Sequence, residues 1–565
     1  MKWFCAVCAL CVLAFPAFAL DREAFTFTKY DLDVRVEPEQ QRLGVRGHIT
    51  LRNDSSAPQK NLALQISSTL DWRAISLDHE PVQFETHQYT SDIDHTGALS
   101  EAIVTLPHEV PPKGAVELEV GYEGIIPLDA TRLTRIGVPE EKAKHIDWDE
   151  IGRSFTAVRG IGNVAWYPIA TQAASLSEAN SVLETVGRWM ARQAESDFSA
   201  KISHSSDSGE TSTLYCGGIQ TGSNEKKQAQ PISECSWTGL STPTFAIADY
   251  QTLEAGGRVR IEYMNGQKDA ADSYAEVASK ADLFPPLGRS PGNLQMLGLP
   301  DENDSPFVTQ GMLLTPLKTP LTNEAELSIV YALARQMVSS PRAWIQEGLS
   351  HYAQAAFIET QKGRQAALDY MDAHKSVLVE TEKDVVEKST GADHALITAP
   401  DDLYLQTKSM YVWWMLRDML GNTFQDGLLS YDGNQDKDPT FLQKLIEKKS
   451  NRDLQWFFDD WVYHDRGLPD FRVASVFSTP IAAGGFLVTI EIENPGSVGA
   501  EVPIILKTEK EDIRRRLVVH AKAKASIRVE TQSAPKEVTV NDGSVPESDV
   551  SNSTFKIDSM SHSNH

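Results

Sequence analysis

With 565 residues the chain is too long for one hydrophobic core, and about two to four domains are expected. Its 41% apolar and 23% charged side chains match a soluble globular protein. A formal net charge of −25 argues against nucleic acid and anionic membrane surfaces as partners, because both need a basic footprint; solubility alone accounts for the acidity.

The first element is a predicted export signal over residues 1–19. Lys2 supplies a positive start, an apolar run extends from Trp3 to Phe15, and Ala17-Phe18-Ala19 is a small-x-small cleavage site. The run is too short to span a bilayer and no stop-transfer pattern follows. The mature chain is therefore expected to begin at Leu20, to carry no membrane span, and to be periplasmic or secreted. Cys5, Cys8 and Cys11 leave with the signal, and none has the approach that a lipid-attachment cysteine requires. Cys216 and Cys235 remain, and an even pair in an exported chain predicts a disulfide.

Residues 20–254 read as an N-terminal β domain. Stretches such as "YDLDVRVEP", "GHITLRN" and "VELEVGYEG" alternate apolar and polar side chains between turn clusters, which predicts an antiparallel saddle or sandwich. Residues 255–470 change to helical periodicity. "EAELSIVYALARQMV", "AWIQEGLSHYAQAAFIETQ" and "SMYVWWMLRDML" carry apolar residues at three- and four-residue spacing. Ser340-Pro341 predicts a helix start, and "GMLLTPL" is a candidate strand of a small sheet. Residues 471–545 return to alternation and predict a C-terminal β-sandwich. Residues 546–565, rich in Ser, Asn and Asp, are expected to be disordered. The fold class is α+β and multidomain.

Three segments then carry a resemblance. "PRAWIQEGLSHY" is similar to the W-L-N-E-G-F-A-x-Y segment of the membrane alanyl aminopeptidase family, the gluzincin-clan zinc exopeptidases of the aminopeptidase N and leukotriene-hydrolase type. "KSMYVWWMLRDMLGN" and "WFFDDWVYHDRGLPDF" resemble two further segments of that family, in the same order. The resemblance covers nearly the whole mature chain and implies a thermolysin-like central domain. It also implies a His-Glu-x-x-His helix, with two histidines on one zinc, a glutamate as general base and a third ligand on the next helix.

That third ligand position is Glu347. The aligned histidine positions hold Tyr331 and Arg335, and the general-base position holds Ala332. The position of the family's oxyanion tyrosine, two before Lys408, holds Gln406. The strand that grips a substrate amine falls near Gly311 and Met312, where no glutamate occurs. Arginine stays protonated and cannot ligate a metal. A divalent ion about 4 Å from it would be repelled by roughly 8 kcal/mol at an effective dielectric near 20.

The resemblance thus implies a peptidase-like protein without the zinc chemistry. No cofactor is expected, and the remnant cleft, drawn from Gly311, Met312, Tyr331, Glu347, His351, Gln406 and Lys408, is expected to take a peptide or a protein. Two alternatives stay open. One is an active zinc aminopeptidase with non-standard ligands, for which His374 and His394 are the nearby spare imidazoles. The other is a structural or interaction scaffold. Tyr331, His351, Trp413 and Trp414 each have an ordinary packing role as the default, and Glu382, Asp384 and Glu387 a solvated one. From Leu327 to Val338 only Ser328, Arg335 and Gln336 are clearly polar, so Arg335 is expected to be buried and paired. The predicted partner is Glu347, with Tyr331 alongside.

Overall fold

Alternation of side chains builds the N-terminal sheet. In the strand Phe25–Glu37, Tyr30, Leu32, Val34 and Val36 are buried while Asp31, Asp33 and Arg35 face water, as a two-residue period requires. This strand pairs antiparallel with Arg42–Asn53 and parallel with Asp197–His204, near the middle of an eight-stranded sheet. Three further strands, Gln59–Ser67, Ala98–Val110 and Gln83–Thr90, form a second layer that shares its core. Cys216 and Cys235 form a disulfide between the strands Thr213–Cys216 and Ile232–Trp237, which belong to different sheets.

The computed structural model describes residues 20–178, 181–205, 212–221, 232–237, 241–282, 287, 292–338, 340, 342–381, 395–397, 402–482 and 484–557. The predicted export signal, Pro341, Glu382, Asp384, Glu387 and His394 lie outside the described residues. Among the described residues no helix is long and apolar enough to cross a membrane.

Helix α1, Ser181–Arg192, interrupts the N-terminal strands. It buries Val182, Thr185 and Trp189 against them. A five-stranded sheet follows, built from β1 (Gln251–Ala255), β2 (Val259–Tyr263), β3 (Leu294–Leu299), β4 (Phe307–Thr309) and β5 (Met312–Pro316), in the order β1-β2-β3-β5-β4. β2, β3 and β5 run parallel, and β4 is an antiparallel edge strand. The helical periodicity expected from residue 255 therefore gives way first to this sheet. The boundary at 254/255 falls inside the β1–β2 hairpin, in which Leu253 faces Ile261. β3, "LQMLGL", is a short continuous apolar run, the kind that periodicity cannot assign to strand or helix.

Four helices then carry the site or pack behind it: α2 (Asn323–Arg335), α3 (Ala343–Lys362), α4 (Asp402–Leu420) and α5 (Phe441–Ser450). α3 begins at Ala343 with Arg342 as its cap residue, so Ser340 is not the cap. The Ser340 hydroxyl instead hydrogen-bonds Tyr431 Oη at 2.7 Å and accepts the Arg342 N–H. Gly348 lies where α3 meets α4: a Cβ there would come 2.5 Å from Ser409 Cβ and 2.7 Å from Trp413 Nε1.

The C-terminal part is a sandwich of a three-stranded and a four-stranded sheet. Its apolar layer is continuous with that of α3 and α4. The expected disorder from residue 546 does not hold as far as residue 557. Thr554–Lys556 adds a strand to the Pro535–Val540 edge, and Glu547 is buried, accepting bonds from Phe471 N–H and Asn541 Nδ2. Polar composition misleads there because backbone pairing and the buried hydrogen bonds of Glu547, beside the packing of Ile557, hold the segment.

Candidate functional site

α2 starts where Thr322 accepts the Ala325 N–H at its hydroxyl, and Glu324 and Glu326 lie in the positive first turn. Ile329, Val330, Ala332 and Leu333 are buried. Tyr331 and Arg335, four residues apart, share another face. α3 crosses that face and places Glu347 against both.

The three side chains close a ring of hydrogen bonds. Arg335 Nη1 donates to Glu347 Oε1 at 2.5 Å and to Tyr331 Oη at 2.9 Å. The Tyr331 hydroxyl donates to the other carboxylate oxygen, Oε2. The Arg335 and Glu347 side chains are 9% and 14% exposed. Burial raises the Tyr331 phenol above its ordinary pKa; the Arg335 charge opposes the shift and the Glu347 charge adds to it. The phenol therefore keeps its proton at neutral pH and can donate to Glu347 Oε2.

This group sits on the wall of a cleft of about 800 Å³ between the N-terminal and helical parts. α1 lines the cleft with Leu183, Val186 and Met190 and with Arg188 and Arg192. The edge strand β4 contributes Phe307, Val308 and Thr309, and α4 contributes Leu405 and Gln406.

Of the residues expected to form the cleft, Tyr331, Glu347 and Gln406 line it. Gly311 and Met312 do not. Gly311 takes a positive φ of 72° in the turn between β4 and β5, and Met312 is fully buried under the sheet. The strand on the cleft is β4. Lys408 is also excluded: two residues after Gln406 the helix has turned by about 200°, so Lys408 points inward. It is 1% exposed, donates to Tyr404 Oη at 2.8 Å, and pairs with Asp465 at 3.2 Å. Burial opposes ionisation of Asp465, but the Lys408 charge together with hydrogen bonds from Lys408, the Gly467 N–H and Tyr404 keeps the carboxyl below its usual range. His351 packs at a tilt against Tyr331, 5.0 Å between ring centres, with Nδ1 3.0 Å from Gln354 Oε1. Burial pushes its pKa down to about 4, so the ring is neutral. Trp413 and Trp414 are core residues with no exposure. His374 bonds the Tyr370 carbonyl oxygen on the exposed side of its helix.

The wall formed by α1 lies in a segment read as β. Its signal was present in "SVLETVGRWMAR", with Val182, Val186, Trp189 and Met190 at helical spacing. The donor set does not suit zinc. Both Glu347 oxygens are engaged, Ala332 offers no acceptor and is fully buried, and an arginine and a protonated phenol fill the remaining positions.

No protein-family model and no curated protein sequence matches the chain. Solved structures do. Aminopeptidase A of Legionella pneumophila, solved in complex with aspartic acid, aligns with a TM-score of 0.57 at 13% identity. The alignment covers 94% of this chain and 59% of that one, so this chain spans about three fifths of that protein. An M1 zinc metallopeptidase from Deinococcus radiodurans aligns over 80% of this chain and 96% of its own, with a TM-score of 0.46 and 15% identity. The chain shares the multidomain α+β fold of that Legionella aminopeptidase.

Proposed function

We propose that this chain is a degenerate, exported member of the membrane alanyl aminopeptidase family that binds peptides or a protein segment without cutting them. The observation that carries the reading is the engagement of both Glu347 oxygens, one by Arg335 and the other by Tyr331. In the family a glutamate at this position serves as a zinc ligand. Here an internal cation already satisfies it, and the two aligned histidine positions supply that cation and its hydroxyl companion. Position 332 offers no general base and position 406 no tyrosine, the two groups that activate water and stabilise a tetrahedral oxyanion in the family.

What persists is a cleft. Helix α1 lines it with apolar side chains and two arginines, the edge strand β4 borders it, and Gln406 offers an amide. Such an arrangement suits an extended peptide, with backbone pairing along the strand and side chains against the apolar residues of α1. Export is consistent with the Cys216–Cys235 disulfide.

The test is a titration of fluorescein-labelled peptides of mixed sequence into the mature chain, followed by mass analysis of the recovered peptide. Saturable binding of uncut peptide, lost in Gln406→Trp, is expected. Absence of binding at millimolar peptide favours the scaffold reading, and shortened peptide favours an active enzyme.

A further inference from the structure

A second constellation lies outside the cleft, where the N-terminal part meets the central sheet. His145 follows the short helix Glu140–Lys144, and Asp301 and Asp304 sit in the loop between β3 and β4. The backbone fixes the two pieces together. Ser305 N–H donates to the His145 carbonyl at 2.8 Å, and Trp148 Nε1 donates to the Ser305 carbonyl at 2.9 Å.

On this support three ligand atoms converge. His145 Nδ1 is 3.1 Å from Asp304 Oδ1 and 3.8 Å from Asp301 Oδ2, and one ligand atom from each residue lies within 4.8 Å of the others. Ligands around a four-coordinate ion with bonds near 2.1 Å are separated by roughly 3.4 Å, so small side-chain rotations bring all three onto one ion.

The burial of Asp304 is a separate observation. Its side chain is 7% exposed, and among the described residues its carboxylate has one hydrogen-bond partner, the His145 ring. The other acids facing this centre, Asp301 and the half-buried Glu150, carry like charge. The nearby cation is Arg159, but its guanidinium gives two bonds to the fully buried Asp149, at 2.9 and 2.7 Å, and lies over Trp148. A buried carboxylate amid like charges, with no permanent cation committed to it, is costly. A divalent ion would remove that cost.

We propose that His145, Asp301 and Asp304 bind a zinc-class divalent ion that clamps the N-terminal part to the loop entering β4. An imidazole with two carboxylates suits zinc, whereas calcium takes six to eight oxygens and the cluster offers too few. The His145 and Asp301 sides are open to solvent, at 30% and 48% exposure, leaving room for water to complete the shell. Because the loop runs directly into β4, the ion fixes the strand edge that borders the cleft. Metal found in the purified chain would then belong to this clamp and not to Glu347.

The experiment uses the mature chain freed of metal by chelation. Zinc chloride, and calcium chloride in a parallel arm, are titrated calorimetrically near neutral pH, with thermal unfolding followed in the same samples. The variants are His145→Ala, Asp301→Asn and Glu347→Gln; the first two change exposed side chains and spare the buried Asp304. Wild type and Glu347→Gln should each bind one equivalent of zinc and unfold at higher temperature with it. His145→Ala and Asp301→Asn should bind at least tenfold more weakly and show no thermal shift. The proposal is overturned by absence of zinc binding at millimolar concentration or by calcium binding in place of zinc. It is equally overturned by zinc binding unchanged in His145→Ala and Asp301→Asn, or by binding lost only in Glu347→Gln, which would put the ion in the cleft.

Discussion

Replacing Arg335 with methionine leaves Glu347 as a carboxylate 14% exposed, with the Tyr331 hydroxyl as its remaining hydrogen-bond partner among the described residues. With the charge centres about 4 Å apart and an effective dielectric near 20, the lost attraction is about 4 kcal/mol. Part of that is offset because the arginine no longer has to be desolvated, but the stranded carboxylate keeps its own burial cost. A net destabilisation of about 3 kcal/mol is expected, at the low end for buried pairs because both side chains retain slight contact with water. Glu347→Leu strands the guanidinium and should cost a similar amount. The double variant Arg335→Met with Glu347→Leu strands nothing and fills the space with apolar groups, so it should cost about 1 kcal/mol or less. Urea unfolding, followed by the fluorescence of the tryptophans on α3 and α4, gives the three values for the transition that includes this region. Single effects that add to within about 0.5 kcal/mol in the double variant would refute the reasoning, since uncoupled sites add and paired ones do not.

Gly348→Ala should cost about 1–3 kcal/mol by overpacking, since its Cβ would meet Ser409 Cβ at 2.5 Å; Ser409→Gly should recover most of the loss, read as urea midpoints. Burial raises Glu547 from 4.5 to about 7, against the opposing bonds from Asn541 and Phe471 N–H. The folded chain therefore holds a proton that the unfolded chain releases, so this contribution is complete below the unfolded pKa and is lost as pH rises through about 7. Glu547→Gln should remove that slope and be relatively more stable above neutral pH, by roughly 3 kcal/mol at most, as measured by unfolding at a series of pH values. Intact mass should rise by about two daltons on reduction of the Cys216–Cys235 bridge, and Cys216→Ser with Cys235→Ser should cost roughly 3 kcal/mol for a closed loop of this length; an unchanged mass on reduction refutes the bridge in solution.

Much of the fold was legible because one face of each element is buried. Tyr30, Leu32, Val34 and Val36 announce a strand, and the helix around Glu347 is read directly from its apolar spacing. What escaped has identifiable causes. β3 is too short and too apolar for a period to show, whereas β2 alternates in "VRIEY" but is only five residues long and adjoins a helical pattern. α1 was hidden by the strands on either side of it, although its own spacing is helical. The segment holding Thr554–Lys556 is mostly polar, with only Val550, Phe555 and Ile557 apolar over residues 547–557, and edge pairing leaves no composition signal. Within the site, the chemistry of Arg335 in an otherwise apolar helix points to a buried partner. The sequence could not tell which strand borders the cleft, since β4 and β5 are separated by two residues and only the sheet order distinguishes them. Nor could it tell that Lys408 turns inward toward Asp465, because that partner lies 57 residues away. His145 gave no signal at all, its acidic neighbours arriving more than 150 residues later.

The central claim is that this cleft has lost zinc-dependent hydrolysis, and release of chromophore from aminoacyl anilides tests it most directly. The assay is run on the mature chain after dialysis against zinc, with and without a chelator, beside Glu347→Gln prepared in the same way. The account predicts rates at the buffer background in every sample, including those with zinc. A chelator-sensitive activity in the wild-type chain that disappears in Glu347→Gln would contradict it.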